Sequence, residues 1–405
     1  MKRRRALEAL AALAAFGGLA PLAGCAGTPP ALPATGSGDL GVVVGRANGT
    51  LTVVNTSSKT ALGTIDGLGD LSHASVVYSR DGAVAFVFGR DGALTKVNVL
   101  SRRIEGRVQQ AGNSIGGAIS ADGTLVAAQN YQPGGIKVFD AKTLALVADI
   151  PATVDAPGEP GRRSRVVGLA ELPGRRLIYS LFDADQIWIA DLSQPGAPRL
   201  TKFTNVGRQP YDALVTPDGR YYIAGLFGED GLAMIDLWAA EPTVRRILGG
   251  YGRGEQPLPV FKMPHLRGWA VAGRHAWLPA IGRHEVLVVD TETWTEVARV
   301  PVAGQPVFVM AQPDGRQVWV NFAVPDYHRV QVIDTPTRKV VKTLEPGAAV
   351  LHMEFTPKGE AVWISSRDAN RVSVIDSASF ATLAALPIEA PSGIFFASRA
   401  ARLGL

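Results

Sequence analysis

Short apolar runs that end on a side-chain oxygen recur along the whole chain. Two apolar residues and then Asp or Asn close a strand-like segment at Val53-Val54-Asn55, Val138-Phe139-Asp140, Ile189-Ala190-Asp191, Met234-Ile235-Asp236, Val288-Val289-Asp290, Val332-Ile333-Asp334 and Val374-Ile375-Asp376, with a weaker copy at Lys96-Val97-Asn98. Successive copies lie 43, 42, 51, 45, 54, 44 and 42 residues apart. Between them falls a second marker, a tight turn carrying glycine, at Asp81-Gly82, Asp122-Gly123, Pro173-Gly174, Asp218-Gly219, Ala272-Gly273, Asp314-Gly315 and Lys358-Gly359. Each is followed by a β-rich run, such as Ala83 to Phe88 or Gln317 to Asn321. Glycine suits such turns because it reaches positive φ at little cost. A repeat of about 45 residues holding four short strands is the blade of a β-propeller. The pattern predicts an all-β chain, an eight-bladed β-propeller over residues 39–405.

The eighth copy is split. Residues 41–66 supply outer strands, and Ser392-Gly393-Ile394-Phe395-Phe396 resembles the innermost strand of other copies, such as Ser75-Val76-Val77-Tyr78. Both termini therefore close the last blade, pairing edges that would otherwise stay open. The two long spacings place insertions at residues 152–165 and 240–264, expected as loops on one face.

Composition agrees with many short strands: 46% of residues are hydrophobic and 19% charged, with 45 Gly and 27 Pro among 405 residues. The net charge is +5, but the one dense basic run is Lys2-Arg3-Arg4-Arg5, so no nucleic-acid face is expected. That run opens a targeting segment. An apolar stretch from Ala6 to Leu22 follows, and Leu22-Ala23-Gly24-Cys25 resembles a bacterial lipoprotein signal. Residues 1–24 are read as the signal peptide, Cys25 as the lipidated residue, and 25–38 as a flexible tether holding the body at a membrane in the periplasm. Cys25 is the one cysteine, which excludes an intramolecular disulfide, a cysteine-ligated zinc site and an iron–sulfur cluster, and no Cys-x-x-Cys-His exists for a covalently attached c-type haem.

In a propeller the innermost strands line a channel, and their starts face one mouth. Counting eight residues back from each turn marker lands on His73, Ser114, Arg165, Pro210, Pro264, Pro306 and Val350. His265 and Arg267 follow Pro264, Arg208 precedes Pro210, and His352 follows Val350. His73 and His265 fall four blades apart, opposite each other across the mouth, with Arg165 and Arg208 between them. Histidine is the candidate iron ligand and proton carrier, and arginine the candidate carboxylate clamp. His275, His284 and His328 lie beside polar, turn-like stretches and are read as surface residues. Gly112-Asn113-Ser114-Ile115-Gly116-Gly117 looks faintly like a dinucleotide fingerprint, but it opens a strand, so its small residues are read as strand crowding near the axis.

One family resemblance bears on function. Asp70-Leu71-Ser72-His73-Ala74-Ser75-Val76-Val77-Tyr78-Ser79-Arg80-Asp81-Gly82 with Phe88-Gly89-Arg90-Asp91-Gly92, the stretch from Asn113 to Tyr131, and Tyr221 to Pro242 resemble the haem d1-binding propellers: that of cytochrome cd1 nitrite reductase and those of its relatives in haem d1 biosynthesis. The resemblance runs over about residues 39–400. It implies a periplasmic propeller that takes haem d1 or its dihydro precursor, with His73 at the position of the axial iron ligand. It implies the precursor, nitrite reductase and other maturation proteins as partners, and is compatible with a homodimer. His265 or His352 would occupy the space of the reductase's distal histidines and act as acid or base. Ser114, Arg165, Arg208, Arg253 and Arg267 are the remaining pocket candidates. Without a Cys-x-x-Cys-His motif for a cytochrome c domain, nitrite reduction itself is not expected. Two classes of function stay open: a biosynthetic protein that binds and modifies or delivers a haem d1 precursor, and a non-enzymatic propeller lipoprotein that docks protein partners.

Overall fold

The computed structural model describes residues 36–156, 159–251, 268–280 and 283–401. Among them the chain forms eight four-stranded antiparallel sheets and one two-stranded hairpin. The innermost strands, in blade order, are Ser75–Tyr78, Asn113–Ile119, Val166–Leu172, Pro210–Val215, Ala270–Ala272, Pro306–Ala311, Val350–Phe355 and Pro391–Phe396. They touch in sequence from blade 1 to blade 4 and from blade 5 to blade 8, and blade 8 returns to blade 1. Blade 8 is built as the sequence implied. Pro391–Phe396 pairs with Leu40–Gly45, and Thr50–Asn55 and Thr60–Ile65 continue outward.

The repeated Asp or Asn has one physical job. It accepts backbone N–H groups of the turn after the third strand: Asn55 from Ser58, Asn98 from Ser101, Asp140 from Lys142 and Thr143, Asp191 from Ser193, Asp236 from Trp238, Asp290 from Glu292 and Thr293, Asp334 from Thr337, and Asp376 from Ala378 and Ser379. A short side-chain acceptor two or three residues back mimics a backbone turn. The seven glycines of the second marker all hold φ between 60 and 76°.

Packing lies between blades. Each of the eight interfaces has its own apolar cluster. Successive residues of a strand serve different neighbours: Val42 and Val44 pack toward blade 1, and Val43 toward blade 7. Inner strands are thus buried on both faces, while outer strands such as Arg103–Gln109 are largely exposed. The glycine-rich start of blade 2 is crowded as expected, since a Cβ on Gly117 would lie 2.2 Å from the Ala127 carbonyl and from the Phe88 ring.

Two expectations need correction. Residues 152–165 are not an irregular loop but a hairpin, Thr153–Ala156 against Glu159–Arg163. The second insertion starts later than expected, because Val244–Ile247 is the outer strand of blade 4. Among the described residues no helix is long and apolar enough to cross a membrane.

Candidate functional site

For six of its seven strands the eight-residue count finds the mouth to within two residues. The seventh expected start, Pro264, lies outside the described residues, and that strand is described from Ala270. The observed innermost strands begin at Ser75, Asn113, Val166, Pro210, Pro306 and Val350, against the expected 73, 114, 165, 210, 306 and 350. His73 sits just before blade 1 on a loop with fixed anchors. Leu68 and Leu71 are each 1% exposed and pin it to the core. The Leu68 N–H donates to Gly49, Arg90 N–H to Asp70, Ser72 N–H to the Asp70 carboxylate, and Arg107 to the Gly67 carbonyl. His73 itself is exposed at the channel mouth, not packed between blades.

Beside it lies an imbalance of charge. Arg46, on the turn after Leu40–Gly45, and Arg90 are half-buried, and neither has an ion-pair partner among the described residues. Burial, then the Arg367 guanidinium, holds the Arg46 pKa below its usual value, with Arg90 adding to the depression and Asp70 partly offsetting it. A desolvated cation near like charges favours an incoming anion. Two further buried polar atoms at the starts of these innermost strands, Ser75 Oγ and Asn113 Oδ1, have no partner among the described residues. On the blade 1, 2 and 8 side, an imidazole that could hold a metal, arginines without an ion-pair partner among the described residues and two unpartnered polar atoms suit an anionic ligand.

The sequence-predicted arginines are less open than expected. Arg165 Nε and Nη2 grip Asp183 at 3.0 and 2.6 Å, which occupies one edge of its fork and raises its pKa. What remains faces the Phe182 ring, 4.2 Å away. Arg208 is exposed beside Glu229 at 3.6 Å. Ser114 is fully buried, and its hydroxyl donates to the Gln129 carbonyl at 2.7 Å, so its side chain ties blade 2 together and does not reach the mouth. His265, Arg253 and Arg267 lie outside the described residues, as do Cys25 and the targeting segment.

His352 faces the channel one layer down, on the third position of its innermost strand. It stacks on Phe395 at 5.6 Å and meets the Phe308 ring at 6.3 Å. Its Nδ1 accepts the Ile394 N–H at 3.2 Å, so the ring proton is on Nε2. Burial, reinforced by Arg399, lowers its pKa to about 4. At neutral pH it is a hydrogen-bond donor, not an imidazolium acid. Two residues on, Glu354 pairs with Arg399 through Nε at 2.8 Å.

An aromatic wall completes the mouth between blades 2 and 4. Phe182, Tyr211 and Phe227 form a triangle with centroids 5.5 to 5.8 Å apart, over Ile115 and Val167. Sequence reasoning missed this wall together with Arg46, Arg90 and Arg367. Their one signal was position: Arg46, Arg90, Phe182, Phe227 and Arg367 follow the ends of second strands and Tyr211 lies at the start of an innermost strand, and both kinds of end share the mouth. The other end of the channel holds a cavity of about 450 Å³ lined by Arg80, Glu171, Gln312, Glu354 and Arg399. Its charges are internally paired, Arg80 with Glu171 at 3.9 Å and Arg399 with Glu354, so it offers no unbalanced charge to a ligand.

Residues 35–400 match the family described as Cytochrome D1 heme domain. The chain is 62% identical over 373 residues to the protein NirF of Stutzerimonas stutzeri, covering 92% of this chain and 95% of that one. It is 58% identical, with the same coverage, to the protein NirF of Pseudomonas aeruginosa. Its fold is similar to that of a dihydro-heme d1 dehydrogenase, NirN, solved in complex with DHE, with TM-score 0.78, 23% identity and coverage of 92% of this chain and 78% of that one.

Proposed function

The chain belongs to the Cytochrome D1 heme domain family, and from that membership we propose that it works in haem d1 biosynthesis by holding a late, dihydro-haem d1-like precursor in the mouth beside His73. The observation that carries the reading is the half-buried pair Arg46 and Arg90, without an ion-pair partner among the described residues and grouped around Asp70, three residues before the exposed His73. Bound there, the tetrapyrrole would supply an iron that takes an imidazole ligand and a rim of carboxylates and ring carbonyls. His73 would hold the iron. Arg46 and Arg90 would hold carboxylates, while Arg367 and Arg208, paired with Asp368 and Glu229, stand at the rim and the remaining face of Arg165 covers the aromatic wall. His352 offers Nε2–H from within the channel as a neutral donor. The likeness to a dehydrogenase solved with DHE supports a tetrapyrrole as the occupant. The protein acts as a periplasmic lipoprotein tethered through Cys25, and it modifies the precursor or delivers it toward nitrite reductase with other maturation proteins.

Adding dihydro-haem d1 to the purified protein and recording the absorption spectrum tests the reading. The wild type is expected to shift the spectrum with a defined stoichiometry. His73→Ala should abolish or move the shifted band, and Arg46→Ala with Arg90→Ala should weaken binding at least about tenfold, since a hydrogen bond to a charged group contributes about 1.5–3 kcal/mol. No shift, or one unchanged in His73→Ala, overturns it. The mass of the tetrapyrrole extracted afterwards separates modification from delivery.

A further inference from the structure

The aromatic wall contains a hydrogen-bond donor that the fold holds in place and that has no acceptor among the described residues. Tyr131 Oη donates to Tyr211 Oη at 3.0 Å. A phenol that accepts in this way still has its own proton to give, and among the described residues no group receives the Tyr211 proton. Accepting one hydrogen bond also makes Tyr211 a stronger donor, because bonds in a chain polarise one another. Its ring has little freedom. Tyr211 is the second residue of Pro210–Val215, half-buried, and is wedged edge-on against Phe182 at 5.8 Å and tilted against Phe227 at 5.7 Å. The guanidinium groups of Arg90 and Arg165 lie 5.9 and 6.0 Å from the Tyr131 ring centre, so the paired hydroxyls sit in a positive field. A fixed donor beside two cations suits an oxygen that carries negative charge, and suits a bare C–H edge poorly, since the donor would then be buried without a partner.

We infer that Tyr211 donates a hydrogen bond to an oxygen on the rim of the bound tetrapyrrole, a ring carbonyl or a carboxylate, and that Tyr131 is the positioning residue that holds this donor. The inference rests on the tetrapyrrole reading of the mouth and adds a determinant of which macrocycle is accepted. Tyr211→Phe keeps the ring and removes the donor, but it also takes the acceptor from Tyr131, so stability is read alongside affinity.

The test is titration of the full chain with two probes, haem d1, which has ring carbonyls and carboxylates, and protohaem, which has carboxylates but no ring carbonyl. Wild type, Tyr211→Phe and Tyr131→Phe are compared, with thermal midpoints recorded. Tyr211→Phe is expected to bind haem d1 about threefold to tenfold more weakly, the effect of one hydrogen bond. Tyr131→Phe, which keeps the donor but frees it, should lose about twofold, and neither midpoint should fall by more than a few degrees. A loss confined to haem d1 identifies the acceptor as a ring carbonyl, and an equal loss with both probes identifies a carboxylate. Unchanged affinity of Tyr211→Phe for haem d1, with the wild type binding normally, overturns the Tyr211 assignment alone. If the wild type takes up neither haem, the tetrapyrrole reading fails and this assignment fails with it.

Discussion

Asp376 ends its strand and then accepts the Ala378 and Ser379 N–H groups and the Ser379 hydroxyl, the latter two at 2.7 and 2.8 Å. Asp376→Ala is expected to cost about 1 kcal/mol in thermal unfolding, and Asp376→Asn much less, because an amide oxygen still accepts. These bonds also set an acid limit. Backbone N–H donors to Asp290 hold its pKa down to about 2, and those of Asp140, Asp191 and Asp376 are lowered by the same cause. Below the unfolded value of about 4 the unfolded chain binds more protons, so stability present above that pH is lost as pH falls toward the folded pKa values. His352 acts earlier. Its folded pKa near 4 against an ordinary 6.5 means the unfolded chain takes up the extra proton first, so stability falls as pH drops below 6.5. Between pH 6.5 and 5 the thermal midpoint of the wild type should therefore decline more than that of His352→Gln. The aspartates were legible in the sequence because each serves its own local turn. Arg46 and Arg90 were not, because their significance is a missing partner, which depends on where blades 8, 1 and 7 converge.

At the scale of the strand, the apolar runs gave the blades but not their packing. An inner strand buried on both faces gives a continuous run, so the sequence marked where strands lie without showing which neighbour each residue meets. Glycine separates two roles. Gly117 has no room for a Cβ, which would meet the Ala127 carbonyl at 2.2 Å, whereas Gly174 has nothing within 4 Å and is needed for its φ of 74°. Gly117→Ala should lower stability by about 3 kcal/mol or more as blades 1 and 2 are forced apart. Gly174→Ala should cost about 1–2 kcal/mol from backbone strain alone. Chemical denaturation of the two variants checks the order. The turn count recovered strand starts because blade length is uniform there. It failed for Ser114, where one residue of register turns a side chain from channel to blade.

The ring is one cooperative object because its last interface joins the two ends of the described chain. Phe396 is 1% exposed and packs edge-on against Trp363 at 5.6 Å, and the Tyr78 hydroxyl of blade 1 donates to the Phe395 carbonyl at 2.7 Å. Phe396→Ala is expected to cost about 3–5 kcal/mol in urea unfolding, as for a large buried aromatic. The closed channel has two unlike ends: a cavity whose charges are internally paired, and a mouth with His73, arginines that have no ion-pair partner among the described residues, and an aromatic wall. The central claim is that the tetrapyrrole enters at the second end. An anomalous difference map at the iron edge, from crystals soaked with dihydro-haem d1, tests it most directly. One iron peak within bonding distance of the His73 imidazole is the expected result. A peak in the cavity beside Glu354 and Arg399, or on the outer rim of the blades, would contradict it.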